Sequence, residues 1–143
     1  MSASFGSILR WYLVVLMGGL FLQGVGSLIF RLTPALAAAA PYVVRGIFGI
    51  DFWHAWIHIA WGAVGCVMLA TRHTRRAAVG LALIFGLFYT TLAILGVTIY
   101  HPFGLELDWF ENTFHLTAGP LTLFLGVWGA RLHALESAVT VPS

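Results

Sequence analysis

Residues 77–100 have the sequence AAVGLALIFGLFYTTLAILGVTIY and contain no charged side chain. A helix that crosses the hydrocarbon layer of a membrane needs about 20 mostly apolar residues, so this run is long enough to span. Three further runs are also long and mostly apolar, although the last of them contains Glu111 near its start. We expect a membrane-spanning helix in each of the four segments 11–30, 52–71, 77–100 and 109–130. Helices are expected because backbone polar groups in lipid must be hydrogen-bonded within their own segment.

The composition of the whole chain supports the same class of protein. Of the 143 residues, 60% are apolar and 8% are charged, whereas an ordinary soluble domain has about 25% charged residues. The polar side chains are too few to cover a surface that faces water. This excludes a soluble domain, a disordered chain, a disulfide scaffold and a nucleic-acid-binding protein. The sequence therefore predicts an all-α integral membrane protein, a four-helix transmembrane bundle whose main partner is the lipid bilayer.

The placement of the arginines predicts the orientation of the bundle. All seven cationic residues are Arg. In a chain with four spans, five of them fall on one side of the membrane: Arg10, Arg72, Arg75, Arg76 and Arg131. Because cytoplasmic segments carry an excess of positive charge, we expect both termini in the cytoplasm. The expected location is the bacterial inner membrane, with the chain crossing it several times.

Two segments near the N-terminus need separate treatment. We expect the first run to be retained as a span, because about 20 apolar residues exceed the 7–15 of a signal-peptide core. In the outer connection, residues 32–51, Thr33 and Pro34 predict a helix start with Pro at the first position, and Pro41 predicts its end. We expect a short helix there, lying along the membrane interface.

Residues 51–62 (DFWHAWIHIAWG) and 108–119 (DWFENTFHLTAG) resemble each other at a constant offset of 57. In this alignment Asp, His and Gly match Asp, His and Gly. The match predicts two pseudo-repeated helical hairpins, spans 1–2 and 3–4. It also places His58 and His115 at the same depth, about 10 Å below the outer surface at 1.5 Å per residue. Glycines follow each histidine at helical spacing, so we expect the histidine face to be the packing face.

Three interpretations of the outer polar cluster remain open. His58 and His115 could ligate a haem iron, or together with His54 or Glu111 they could bind a transition metal such as zinc. The spacing of four between His54 and His58 suits two ligands on one helix. A second interpretation is an interhelical hydrogen-bond network from His58 to His115, completed by Asn112 and Glu111. The third is a pocket for a quinone, a lipid or another small molecule.

The pattern His54-x-x-x-His58 in span 2, an Arg-rich connection, and Glu111-Asn112-x-x-His115 at the start of span 4 resembles a family of small bacterial four-helix membrane proteins. That family is catalogued only as a domain of unknown function. The similarity covers about residues 45–130, and members often have Asp where this chain has Glu111. The resemblance implies a four-helix bundle and an important role for His54, His58, Asn112 and His115, and it brings no established activity, substrate or cofactor.

No sequence pattern indicates catalysis. No Ser, Cys or Thr stands beside a plausible base, and a phosphate-binding loop is missing. The sequence thus favours a non-enzymatic accessory or structural subunit of a membrane complex, with other membrane-protein subunits as partners. The alternatives are a haem- or metal-binding protein that uses His58 and His115, and a quinone- or lipid-binding redox partner.

Overall fold

The computed structural model describes residues 2–99 and 101–139, and all of the regular structure in these ranges is helical, without a strand. The helices are, in chain order, α1 (Ser2–Leu32), α2 (Pro34–Ala39), α3 (Pro41–Val43), α4 (Phe52–Thr71), α5 (Arg75–Ile99) and α6 (Trp109–Val139). A π-helical turn, Val44–Phe48, follows α3, and a 3-10 turn, Pro102–Gly104, precedes α6. Tyr100, the last residue of the third predicted span, lies outside the described residues.

Three helices in the described part of the chain are long and apolar enough to cross a membrane. They are Phe5–Leu32 within α1, Phe52–Thr71 and Arg75–Ile99. The prediction of an all-helical chain with membrane-length helices is confirmed to that extent, and these helices are consistent with an integral membrane protein. The helix α6 is not among the three, because Thr, Gly, Pro120 and His115 dilute its apolar residues. Its span, and with it the four-span topology, stays a prediction.

Two helices extend past the predicted spans. The helix α1 starts at Ser2 instead of residue 11, and α6 continues to Val139 instead of ending near residue 130. Arg10 therefore lies within α1, where its guanidinium donates to the Leu69 carbonyl and, at 3.4 Å, to the Arg72 carbonyl. The last carbonyls of a helix have no partner within the helix, so a cation there is stabilising. Arg10 thus joins the start of α1 to the end of α4.

The long helices pack chiefly as two pairs, α1 with α4 and α5 with α6. Glycines at equivalent positions allow the close approach in each pair. A Cβ added at Gly62 would lie 2.6 Å from the carbonyl oxygen of Met17 in α1, and one at Gly119 would lie 2.6 Å from the amide nitrogen of Thr90 in α5. Real side chains do not tolerate such distances, so glycine is required at both positions.

The outer connection folds back against α1. The helix α2 begins at Pro34, as the sequence predicts, although the Thr33 side chain makes no capping hydrogen bond. The helix α2 ends at Ala39, just before Pro41, as the sequence predicts, and Pro41 then begins the short helix α3. The π-helical turn then packs on α1, where the ring centroid of Phe48 lies 5.3 Å from that of Phe30, with the two rings tilted by 33°. This contact places the turn close to the polar cluster.

Candidate metal centre

Three histidines meet between α4 and α6. His54 and His58 lie one turn apart on α4, His115 lies on α6, and each is at most 1% exposed. One ring nitrogen from each histidine lies within 4.8 Å of the others. The ring centroids are 4.5 Å apart for His54 and His58, and 5.3 Å apart for His54 and His115. The structure therefore brings together all three histidines that the sequence singles out as possible metal ligands.

Aspartates at matching positions begin the two helices that carry these histidines. The Asp51 carboxylate accepts a hydrogen bond from the amide of His54 at 2.9 Å, and the Asp108 carboxylate accepts one from the amide of Glu111 at 2.9 Å. Both are helix caps, which supply partners for the free amides of a first turn. Since each cap defines where its helix starts, it also defines how deep the histidines lie.

The faces that carry the histidines are buried, as the helical spacing predicts. On α4 the buried residues include His54, His58, Gly62, Gly65 and Leu69. On α6 they include His115, Gly119, Thr122, Gly126 and Gly129. Large side chains such as those of Trp53, Trp56, Phe124 and Trp128 lie exposed on the other faces. The small residues thus bring the helix backbones close enough for imidazoles from both to meet.

Most of the ring nitrogens in the cluster have no hydrogen-bond partner among the described residues. This holds for Nε2 of His58 and for both nitrogens of His54 and of His115. A neutral imidazole has one donor and one acceptor, and leaving a buried polar group unpaired costs about 1–3 kcal/mol. Five buried ring nitrogens are thus left without a hydrogen-bond partner among the described residues.

The interhelical hydrogen-bond network expected from the sequence is not formed in the described part of the chain. His58 and His115 share no hydrogen bond, and Asn112 does not join them. Instead, the Asn112 amide donates to the Leu107 carbonyl at 3.2 Å, and its oxygen packs against Gly96 of α5. Asn112 projects toward α5 because it lies on the side of α6 that packs there. Its described contacts are structural.

Glu111 lies at the edge of the cluster and is 6% exposed. Its Oε2 atom is 3.5 Å from Nδ1 of His54, without hydrogen-bond geometry, and accepts a hydrogen bond from the Asp108 amide at 3.3 Å. The exchange of bonds between Asp108 and Glu111 is a reciprocal cap. It holds a carboxylate beside the histidines, where it can offset the charge of a cation.

Gln23 of α1 also belongs to this site, although the sequence analysis did not single it out. Its amide nitrogen donates to the Ile47 carbonyl at 2.8 Å, and its oxygen lies 3.0 Å from Nδ1 of His58. Because a carbonyl can only accept, the Ile47 contact determines which end of the amide faces His58. The hydrogen then resides on Nδ1 of His58, and its Nε2 keeps the free electron pair. The sequence feature that could have identified Gln23 is a polar amide side chain inside an apolar span.

Tyr89 of α5 is a second residue that the sequence analysis missed. Its side chain is fully buried, its hydroxyl has no hydrogen-bond partner among the described residues, and its ring centroid lies 5.0 Å from that of His115. Buried tyrosine hydroxyls usually find a partner. Tyr89 therefore brings one more unsatisfied polar group to the surroundings of the histidines.

A cavity of about 300 Å³ adjoins the cluster. Polar and apolar residues from four elements line it: Gly19, Gln23, Ile47, His58, Phe110, Glu111, Phe114 and His115. Two of the three histidines thus face open space on one side.

Comparisons with known proteins give no match: no family model, no curated protein and no solved structure is similar to this chain.

Proposed function

We propose that this chain is a multi-pass membrane protein that binds one transition-metal ion through His54, His58 and His115. The observation that carries the proposal is the convergence of three buried imidazoles. One nitrogen of each lies within 4.8 Å of the others, and most of the ring nitrogens have no hydrogen-bond partner among the described residues. Around a tetrahedral ion with Zn–N bonds of about 2.0–2.1 Å, nitrogens lie roughly 3.3 Å apart. Small side-chain rotations would close the three rings to that distance.

The chemistry of the donor set favours a borderline metal ion. Imidazole nitrogens suit zinc, copper, iron and nickel, whereas calcium and magnesium prefer oxygen ligands. The hydrogen bond from His58 to Gln23 is the outer contact that metal-binding histidines usually make through their second nitrogen. Glu111 supplies a nearby negative charge. These features support a single ion bound by three nitrogens.

A haem is a less suitable ligand for this cluster. In a haem bound through His58 and His115, the porphyrin would occupy the four equatorial positions around its iron. His54 lies in that space, since one of its nitrogens is within 4.8 Å of a ligand atom on each of the other two histidines. The same three rings that suit a bare ion therefore oppose a flat macrocycle between them.

The topology that we propose has four spans, with both termini in the cytoplasm and the histidine cluster near the outer face. The packing of α1 on α4 and of α5 on α6 supports two hairpins. The concentration of Arg at one end of the hairpins supports the orientation. A role as an accessory subunit of a larger membrane complex is compatible with this topology and stays a prediction.

Metal content of the purified protein tests the proposal. The detergent-solubilised protein is stripped with a chelator, reloaded with Zn(II) or Co(II), desalted and analysed by elemental mass spectrometry. We expect one ion per chain, and we expect His54→Ala, His58→Ala and His115→Ala each to lose it. His133→Ala is the control, because His133 contacts Arg76 away from the cluster. It should keep the full metal content.

Two results would contradict the proposal. One is a folded wild-type protein that retains no ion after reloading. The other is a Soret band in the visible spectrum of the protein as isolated, which would establish haem instead of a single ion.

A further inference from the structure

The three histidines differ in whether they line the cavity beside the cluster. His58 and His115 line the cavity of about 300 Å³, whereas His54 does not. Gln23 and Glu111 also line this cavity, and both are engaged in hydrogen bonds elsewhere. An ion held by the three rings would therefore have protein on the His54 side and open space on the side of His58 and His115.

The charge at the site is incompletely balanced by the protein. Three neutral imidazoles leave a divalent ion with its full charge of +2, and a net charge inside a membrane protein is costly unless it is paired. Glu111 contributes one negative charge at the edge of the cluster. Its Oε2 atom accepts a hydrogen bond from the Asp108 amide, which holds the carboxylate at the helix start. One positive charge remains beside the cavity.

We propose that the ion keeps one coordination position that opens onto this cavity, and that a small monodentate anion binds there. The inference rests on the proposed metal-binding function. Protein sites with three ligands and one open position are the arrangement found where zinc binds exchangeable ligands, whereas closed sites with four protein ligands are structural. A small anion would complete the tetrahedron and offset the remaining charge.

The inference is tested with azide and the Co(II)-loaded protein, because the visible spectrum of Co(II) reports its coordination. We expect azide to change the spectrum of the wild-type protein in a saturable manner. We expect Gly19→Phe, which places a ring in the cavity, to weaken azide binding at least tenfold while leaving the Co(II) content at one per chain. An added Cβ at Gly19 meets no atom within 4 Å, so the ring has room to enter.

A matched variant controls for effects of the substitution that do not come from filling the cavity. Gly18→Phe changes the neighbouring residue of α1, which also has no atom within 4 Å of an added Cβ but does not line the cavity. It should bind azide like the wild type. If Gly19→Phe does not fold, Gly19→Leu is used, and we expect the same direction of change.

The outcomes separate the two proposals. If Co(II) binds and azide leaves the spectrum unchanged, the fourth position is closed by the protein, so the anion site is wrong and the metal site stands. Equal azide binding by the wild type and Gly19→Phe would show that azide reaches the ion by another route, which also overturns the inference. If Co(II) itself does not bind, both proposals fail.

Discussion

Replacing Gln23 with Leu should weaken metal binding by changing the hydrogen position on His58. In the structure the Gln23 oxygen lies 3.0 Å from Nδ1 of His58, and its amide nitrogen donates to the Ile47 carbonyl at 2.8 Å. Together these contacts keep the hydrogen on Nδ1 and the electron pair on Nε2. Without them the ring samples both tautomers, and the tautomer with hydrogen on Nε2 cannot ligate through that atom.

The size of the effect follows from the single outer hydrogen bond that is lost. Outer partners of metal-binding histidines typically contribute 10–100-fold in affinity, which corresponds to about 1.4–2.8 kcal/mol. We expect the Kd for Zn(II), measured by competition with a fluorescent chelator, to rise by that factor in Gln23→Leu. In Gln23→Glu the carboxylate still accepts from His58, so its Kd should stay near or below the wild-type value.

Ser27→Ala is the control for removing a polar group from the same helix. Ser27 is buried one turn after Gln23, and its hydroxyl donates to the main-chain carbonyl of Gln23 at 2.8 Å. Its removal should leave the Kd for Zn(II) unchanged. The reasoning is refuted if Gln23→Leu binds Zn(II) like the wild type, or if Gln23→Leu and Gln23→Glu raise the Kd for Zn(II) equally.

Three further predictions concern packing, capping and topology. Gly62→Ala should lower the free energy of unfolding in detergent by about 1–3 kcal/mol, because its Cβ would lie 2.6 Å from main-chain atoms of α1. In the control variant Gly80→Ala the added Cβ meets no atom within 4 Å, so the free energy of unfolding should not fall. Equal effects of the two substitutions would contradict the packing argument. Asp51→Ala should lower the free energy of unfolding by about 0.5–2 kcal/mol in the same assay, because the α4 cap is lost. Asp51→Asn should keep most of this stability, since an Asn side chain can also cap a helix. If Asp51→Asn loses as much stability as Asp51→Ala, the cap is unimportant. In a cysteine-free background, Thr74→Cys and Glu106→Cys should react with an impermeant thiol reagent from opposite sides of the membrane, and labelling from the same side would exclude four spans.

The helices and the faces they bury could be predicted because both depend on local spacing. Apolar runs define where a chain can cross lipid, since each residue in the run contributes its own free energy of transfer from water into lipid. The recurrence of His and Gly at helical spacing on α4 and α6 defines one small, polar face on each. The structure buries those faces. The bounds of α1 and α6 were less predictable, because a helix continues past the apolar run until something breaks it.

The partners of the polar groups could not be predicted in the same way. The sequence suggested that Asn112 completes a histidine network, but its side chain lies toward α5, where its oxygen meets Gly96. Gln23 lies 35 residues from His58 along the chain. No local pattern links the two, since their contact exists only because α1 packs on α4 and Ile47 orients the amide.

By itself the sequence determined that this chain forms apolar helices and that His54, His58 and His115 lie near one end of them, because composition and periodicity act within each segment. Only the tertiary structure decided that His54, His58 and His115 converge and that His58 is oriented by Gln23. In the part of the chain that the structure describes, most of their nitrogens have no hydrogen-bond partner, and His58 and His115 line a cavity. Those features depend on distances and angles between helices, which the close approach at Gly62 and Gly119 sets.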